Sequence, residues 1–256
     1  METFIFLTFL LTALAMIGFV VGMFFLIRWF VRKANKEKSP QQTQNEKQQL
    51  LARVDYMKKS LVPWGGDRSF TDISSWMTYQ FSKGMTRRLV GTVYATDQKP
   101  IMAFSRIERG FRSDGQFYVG STIFNLGYEV KEDTIYITLN NQYLGSITNS
   151  GGLFNSQGNY IGNAVHPTKI SINSGNFRYR FGDSSYEVII NDKKLATVYV
   201  APNYADFEEG LFKNNFNENA IGQPIMSLLK TPSPEEEKWL LAIAVLEIVH
   251  HGHWMI

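Results

Sequence analysis

The chain has no cysteine among its 256 residues. Disulfides, thiolate metal sites and cysteine nucleophiles are thereby excluded, whichever compartment the chain occupies. A charge excess is also missing from most of the sequence. The formal net charge of +3 comes from residues 1–38, where Arg28, Arg32, Lys33, Lys36 and Lys38 outnumber Glu2 and Glu37, and residues 39–256 balance to zero. A neutral domain lacks the phosphate-neutralising surface that nucleic acid requires, so the pI of 8.9 does not imply such a partner. Ser-x-x-Lys, Gly-x-Ser-x-Gly, phosphate-loop and EF-hand patterns are absent as well. Their absence argues against an enzyme and implies no cofactor and no metal.

What is present begins with an uncharged run from Phe4 to Ile27. As a helix it spans about 36 Å, enough to cross a hydrocarbon core of about 30 Å with some tilt. The expectation is one transmembrane helix. Ala13-Leu14-Ala15 resembles a signal-peptide cleavage site, but the first residues carry only Glu2 where a signal peptide has positive charge. The juxtamembrane basic residues Arg28, Arg32, Lys33, Lys36 and Lys38 all follow the run. By the positive-inside rule they place the N-terminus outside the cell membrane and the C-terminal domain in the cytoplasm. Gly18 and Gly22 form a Gly-x-x-x-Gly pair, a candidate face for a homodimer through the span.

The composition then changes. Residues 1–33 read as anchor and basic flank, and 34–48 as a polar tether too poor in apolar groups to repay ordering. Residues 49–84 read as a helical lead-in. Leu50, Leu51, Val54, Met57 and Leu61 recur at helical spacing, and a second helix is expected from Thr71-Asp72 to Lys83, capped by Thr71 and ended by Gly84. From Met85 the chain turns to β-branched and aromatic runs separated by Asn, Asp and Gly. Hairpins are predicted around Thr96–Lys99, Asn140-Asn141, Asn155–Gly158, Asn173–Asn176 and Asn191-Asp192.

The hairpins repeat. Tyr143-Leu144-Gly145, Tyr160-Ile161-Gly162 and Lys194-Leu195-Ala196 each stand in the strand just past a turn, with a small residue where a curled sheet must bend. The last segment is a helix of a different kind. Ser233, Pro234 and Glu236 make a capping box with proline at the first helical position, and from Trp239 to Val249 only Glu247 is charged. Eleven residues are too short for a membrane and too apolar for a surface. The fold expected is therefore mainly β. Residues 85–256 form a closed antiparallel barrel of repeated hairpins around a buried C-terminal helix, preceded by the transmembrane helix and one or two short helices.

This order of strand, Asn/Asp/Gly turn and x-[Leu/Ile]-Gly strand, ending in a buried helix, resembles the tubby-like C-terminal barrel superfamily of tubby, LURP-one-related and phospholipid scramblase proteins. The resemblance covers Met85 to Trp254. It implies a membrane-anchored binding module for an anionic lipid or a protein partner, with lipid transfer or scrambling as the alternative. From charge alone, the lipid-binding candidates are Arg87, Arg88, Lys193 and Lys194, and Arg106 with Arg109 and Arg112 form a further basic group. His250, His251 and His253 invite a metal, but a helix end gives histidines a simpler place against the negative end of its dipole. His166, before Pro167, reads as a turn residue.

Overall fold

The computed structural model describes residues 16–29, 40–65, 68–82, 86–109, 115–167, 169–172, 178–181, 185–201 and 222–251. The chain divides into two compact units, Met1–Gln44 and Asn45–Ile256. In the first, residues 16–29 are helical (α1), and their side chains are exposed. The expected membrane-crossing helix is not upheld. Among the described residues no helix is long and apolar enough to cross a membrane. At about 1.5 Å per residue, the described residues of α1 cover about 21 Å against a core of about 30 Å. Phe4 to Ala15 lie outside the described residues, as do Arg32, Lys33, Lys36 and Lys38. Arg28 is exposed on α1. Nothing lies within 4 Å of where a Cβ would stand on Gly18 or Gly22.

Helix α2 is Pro40–Lys58, so helical structure begins inside the polar run expected to be a tether. Proline suits a first helical position, and the Gln-rich sequence after it is a good helix former. Val54 and Leu61 pack with Ala103, Met57 and Tyr118 on the outside of the sheet. The helix expected from Thr71 is a correction. Ser69 and Asp72 form a capping box, but it serves only a three-residue 3-10 turn, Phe70–Asp72. The chain then enters strand β1, Ile73–Ser82. Ile73 and Met77 face the core while Trp76 and Thr78 are only half-buried. The aromatic and Ser/Thr content of this stretch favours the pleated surface over a helix.

Among the described residues thirteen further strands follow: β2 Thr86–Ala95, β3 Pro100–Arg109, β4 Gly115–Gly120, β5 Asn125–Lys131, β6 Thr134–Leu139, β7 Gln142–Thr148, β8 Gly152–Asn155, β9 Tyr160–Ala164, β10 Lys169–Ile172, β11 Arg178–Phe181, β12 Ser185–Ile190, β13 Lys193–Tyr199 and β14 Met226–Leu228. Twelve make one antiparallel sheet in the order β1 to β9, β12, β13, β14, with β10 and β11 pairing separately. The sheet nearly closes on itself. Ser74 bridges Pro224, and the Ile225 N–H donates to the Ile73 carbonyl at 2.9 Å.

Register explains the curl. In four hairpins the strand past the turn carries one extra residue: Ile101, Leu144, Ile161 and Leu195 are each skipped in the pairing. Each is an apolar side chain of the core or packed against it. Such bulges bend a strand and raise its twist, which closes a sheet. Three of the four are the repeat seen in the sequence, and its glycines are conformationally required. Gly145 and Gly162 have φ of +148° and +155°, and a Cβ would lie 2.0 Å from the Phe154 carbonyl or 1.9 Å from that of Ile189. The turns at Asn140-Asn141 and Asn191-Asp192 hold positive φ at both residues, the geometry of two-residue hairpins.

Helix α3, Pro234–Leu246, fills the barrel. The Ser233 side chain accepts from the Glu236 N–H and the Glu236 carboxylate accepts from the Ser233 N–H at 2.8 Å, so the capping box forms as expected. From Trp239 to Val249 every residue except Leu241 is buried. The last turn, Glu247–His251, widens to a π-helix.

Candidate functional site

A charge enclosed in an apolar core must be paired, because leaving it alone costs far more than a hydrogen bond returns. Glu247 is such a charge, with no exposed surface. One carboxylate oxygen accepts the Ala201 N–H at 2.8 Å. The other accepts the Tyr186 hydroxyl at 3.1 Å and lies 3.2 Å from His166 Nε2. The His166 and Tyr186 rings meet edge to face at 5.4 Å. His166 belongs to the loop after β9 and Ala201 follows β13, so one carboxylate ties the end of the central helix to two strand exits and to β12.

The same turn is held from the other side of the barrel. Arg106 of β3 is 3% exposed, and its Nη1 donates to the carbonyls of Val249 at 2.6 Å and His250 at 3.2 Å. The guanidinium donates to both carbonyls and opposes the negative end of the helix dipole. Burial lowers the Arg106 guanidinium to about 9, which leaves it charged at neutral pH. Beneath it the rings form a stack. His250 lies parallel to Phe117 at 5.7 Å, Phe117 lies parallel to Tyr128 at 4.2 Å, and the Tyr128 hydroxyl donates to the Ala242 carbonyl at 2.8 Å. The His250 residue keeps some surface, but its Nδ1 has essentially none. Burial first, then the charges of Arg106 and His166, push its pKa well below that of a free imidazole. Burial pushes the Tyr128 phenol well up.

Neither Arg106 nor His166 lies where the sequence pattern places it. Arg106 was grouped with surface cations and is inside. His166 was read as a turn residue and contacts the buried glutamate. The signal available was Glu247 itself, the lone charge of an apolar helix, which demanded donors that no local pattern could name. His251's side chain and His253 lie outside the described residues.

The candidate lipid residues do not gather. Lys193 Nζ lies 3.8 Å from Glu236 and Lys194 Nζ lies 2.8 Å from Glu187, all on this chain. An exposed pair such as Lys194 with Glu187 contributes about 0–1 kcal/mol and is screened by salt. Arg88 is exposed on β2 and pairs in register with Ser82, nine residues along β1 from the closure at Ile73. Lys193 lies six residues before Tyr199, whose N–H meets Ile225 beside that closure. Strands β1 and β13 run the same way, since each is antiparallel to the β14 segment between them. Arg88 and Lys193 are therefore at opposite ends of the barrel wall. The side chains of Arg87 and Arg109, and the whole of Arg112, lie outside what is described.

The helix end can thus do one thing well, which is to fix the core. Compared with known proteins, the chain matches no family model, and no curated protein or solved structure is significantly similar to it.

Proposed function

We propose that this chain is a non-enzymatic binding module that meets its partner through the outer wall of the barrel. The observation that carries the reading is the filled interior. Helix α3 occupies the space that a ligand of a hollow barrel would take, and Glu247, Arg106 and Tyr128 are engaged in holding it there. A protein partner fits better than an anionic lipid, because the basic residues expected to meet headgroups stand at opposite ends and two of them face carboxylates. Kinship with the tubby-like superfamily belongs to this proposal. Its support is the agreement in element order, hairpins first and a central C-terminal helix last.

The test is capture of partners by the full chain and two variants. Tyr160→Lys on the wall abolishes capture, whereas His166→Ala at the helix end leaves it intact once folding is verified. A turnover activity lost in a folded His166→Ala variant overturns the reading.

A further inference from the structure

Residues 134–168 hold no Asp, Glu, Lys or Arg, in a chain whose charged share is 19%. This stretch is β6 to β9 and their connections, four adjacent strands of the wall. Register sets out what the outer face presents. Tyr136 lies opposite Ser146, Ser146 opposite Phe154, and Phe154 opposite Tyr160, one row across all four strands. Tyr143, opposite Thr138, stands in the next row. Tyr136, Tyr143 and Tyr160 are 39%, 44% and 60% exposed. The Phe154 and Tyr160 rings meet at 5.7 Å, and Asn163 Nδ2 lies 3.4 Å from the Tyr160 hydroxyl. Exposed amides of Asn140, Asn141, Gln142, Gln157 and Asn159 surround the row.

We propose that this face docks a second copy of the same chain, face to face about a two-fold axis. In such an interface the same patch serves both partners, so each group meets its own copy or a close neighbour of it. A charged group next to the axis then meets its own charge. A tyrosine hydroxyl or a carboxamide is both donor and acceptor, and pairs with its copy without conflict. Aromatic enrichment with charge depletion is also what the centres of protein interfaces show. The charges that border the patch, Glu129 opposite Tyr136 in register and Lys131 over its ring at 5.7 Å, pair with each other at 3.0 Å. Four strands at about 4.8 Å spacing and about five residues long make a patch roughly 19 Å by 17 Å. That size belongs to a weak, exchanging dimer. The inference rests on the binding reading above and deepens it, since it names a second copy of the chain as the partner at Tyr160, and cross-linking to another macromolecule ends this inference while leaving that reading standing.

The absence of cysteine allows a site-specific test on the full chain. Ser146→Cys puts a single thiol at the middle of the row, and Gln80→Cys puts one on the exposed outer face of β1. With a short bismaleimide, the Ser146→Cys chain gives a concentration-dependent cross-linked dimer at about tenfold the yield of Gln80→Cys, a ratio of one decade in local association. Adding Tyr136→Lys and Tyr160→Lys to Ser146→Cys brings the yield down to the reference level while the circular dichroism and melting profile are retained, because like charges then face each other. Equal yields from the two thiols overturn the proposal. So does a Ser146→Cys yield that the lysines leave unchanged, or cross-linking to another macromolecule in place of a copy.

Discussion

The two ends of helix α3 each carry a buried glutamate, and they are secured in opposite ways. Glu236, at the start, is held by Ser233 three residues away, with Asn191 and Lys193 at 3.4 and 3.8 Å as distant help. Glu247, at the other end, is held by His166, Tyr186 and Ala201, and the carbonyls beyond it by Arg106 across 143 residues of chain. The first end is a local device that forms as the helix forms. The second exists only when the barrel has closed, so it reports the whole fold.

The largest effect expected from this contrast is in stability. Glu247→Leu keeps the volume but removes the acceptor shared by Tyr186 and Ala201, and costs about 3–5 kcal/mol, since each buried donor deprived of its acceptor costs about 1–3 kcal/mol. Ser233→Ala at the other end costs about 1 kcal/mol, the usual value of an N-cap. Denaturant unfolding of the two variants measures both, and equal losses break the contrast.

Acid separates the ends as well. The folded pKa of His250 lies below its unfolded value of 6.5, so as pH falls below about 6.5 the unfolded chain takes up a proton that the folded chain refuses. Stability then declines by at most about 1.4 kcal/mol per pH unit for this one group. Glu236 works in a lower window. Its folded pKa is held below 4.5, first by the Ser233 N–H, so its contribution is complete above that value and is lost only as pH falls through the folded pKa. Melting temperatures of the wild type and His250→Phe between pH 7 and 5 check this: the wild type falls and the variant stays flatter.

The smallest effect is at the surface. Lys193→Ala removes an exposed cation from Glu236 and changes stability by a few tenths of a kcal/mol, less still in high salt.

The same contrast explains what could be read in advance. The capping box at Ser233, the turns at Asn140-Asn141 and Asn191-Asp192, and the x-[Leu/Ile]-small repeat that underlies three of the four bulges rest on residues a few positions apart and are legible in the sequence, whereas the turn expected at Asn173–Asn176 lies outside the described residues. Strand β1 was misread because Thr71, Trp76 and Phe81 satisfy a helix template, whereas the alternation of Ile73 and Met77 with Trp76 and Thr78 appears only once the sheet pairs. Strands β4 and β5 were not assigned, although Phe117 and Val119, then Leu126, Tyr128 and Val130, alternate clearly. The uncharged N-terminal run met the length rule for a membrane span, and only the described helix corrected it. Arg106 and His166 were illegible for a different reason. Their roles depend on partners that only the folded, nearly closed sheet brings near.

Native-state hydrogen exchange of α3 tests the central account most directly, because a helix enclosed by the whole sheet opens only when the sheet does. The prediction is that the amides from Leu240 to Val249 exchange last, together with those of β3, β4 and β12, at the free energy of global unfolding. Exchange of that helix ahead of the surrounding strands would contradict a filled, locked barrel.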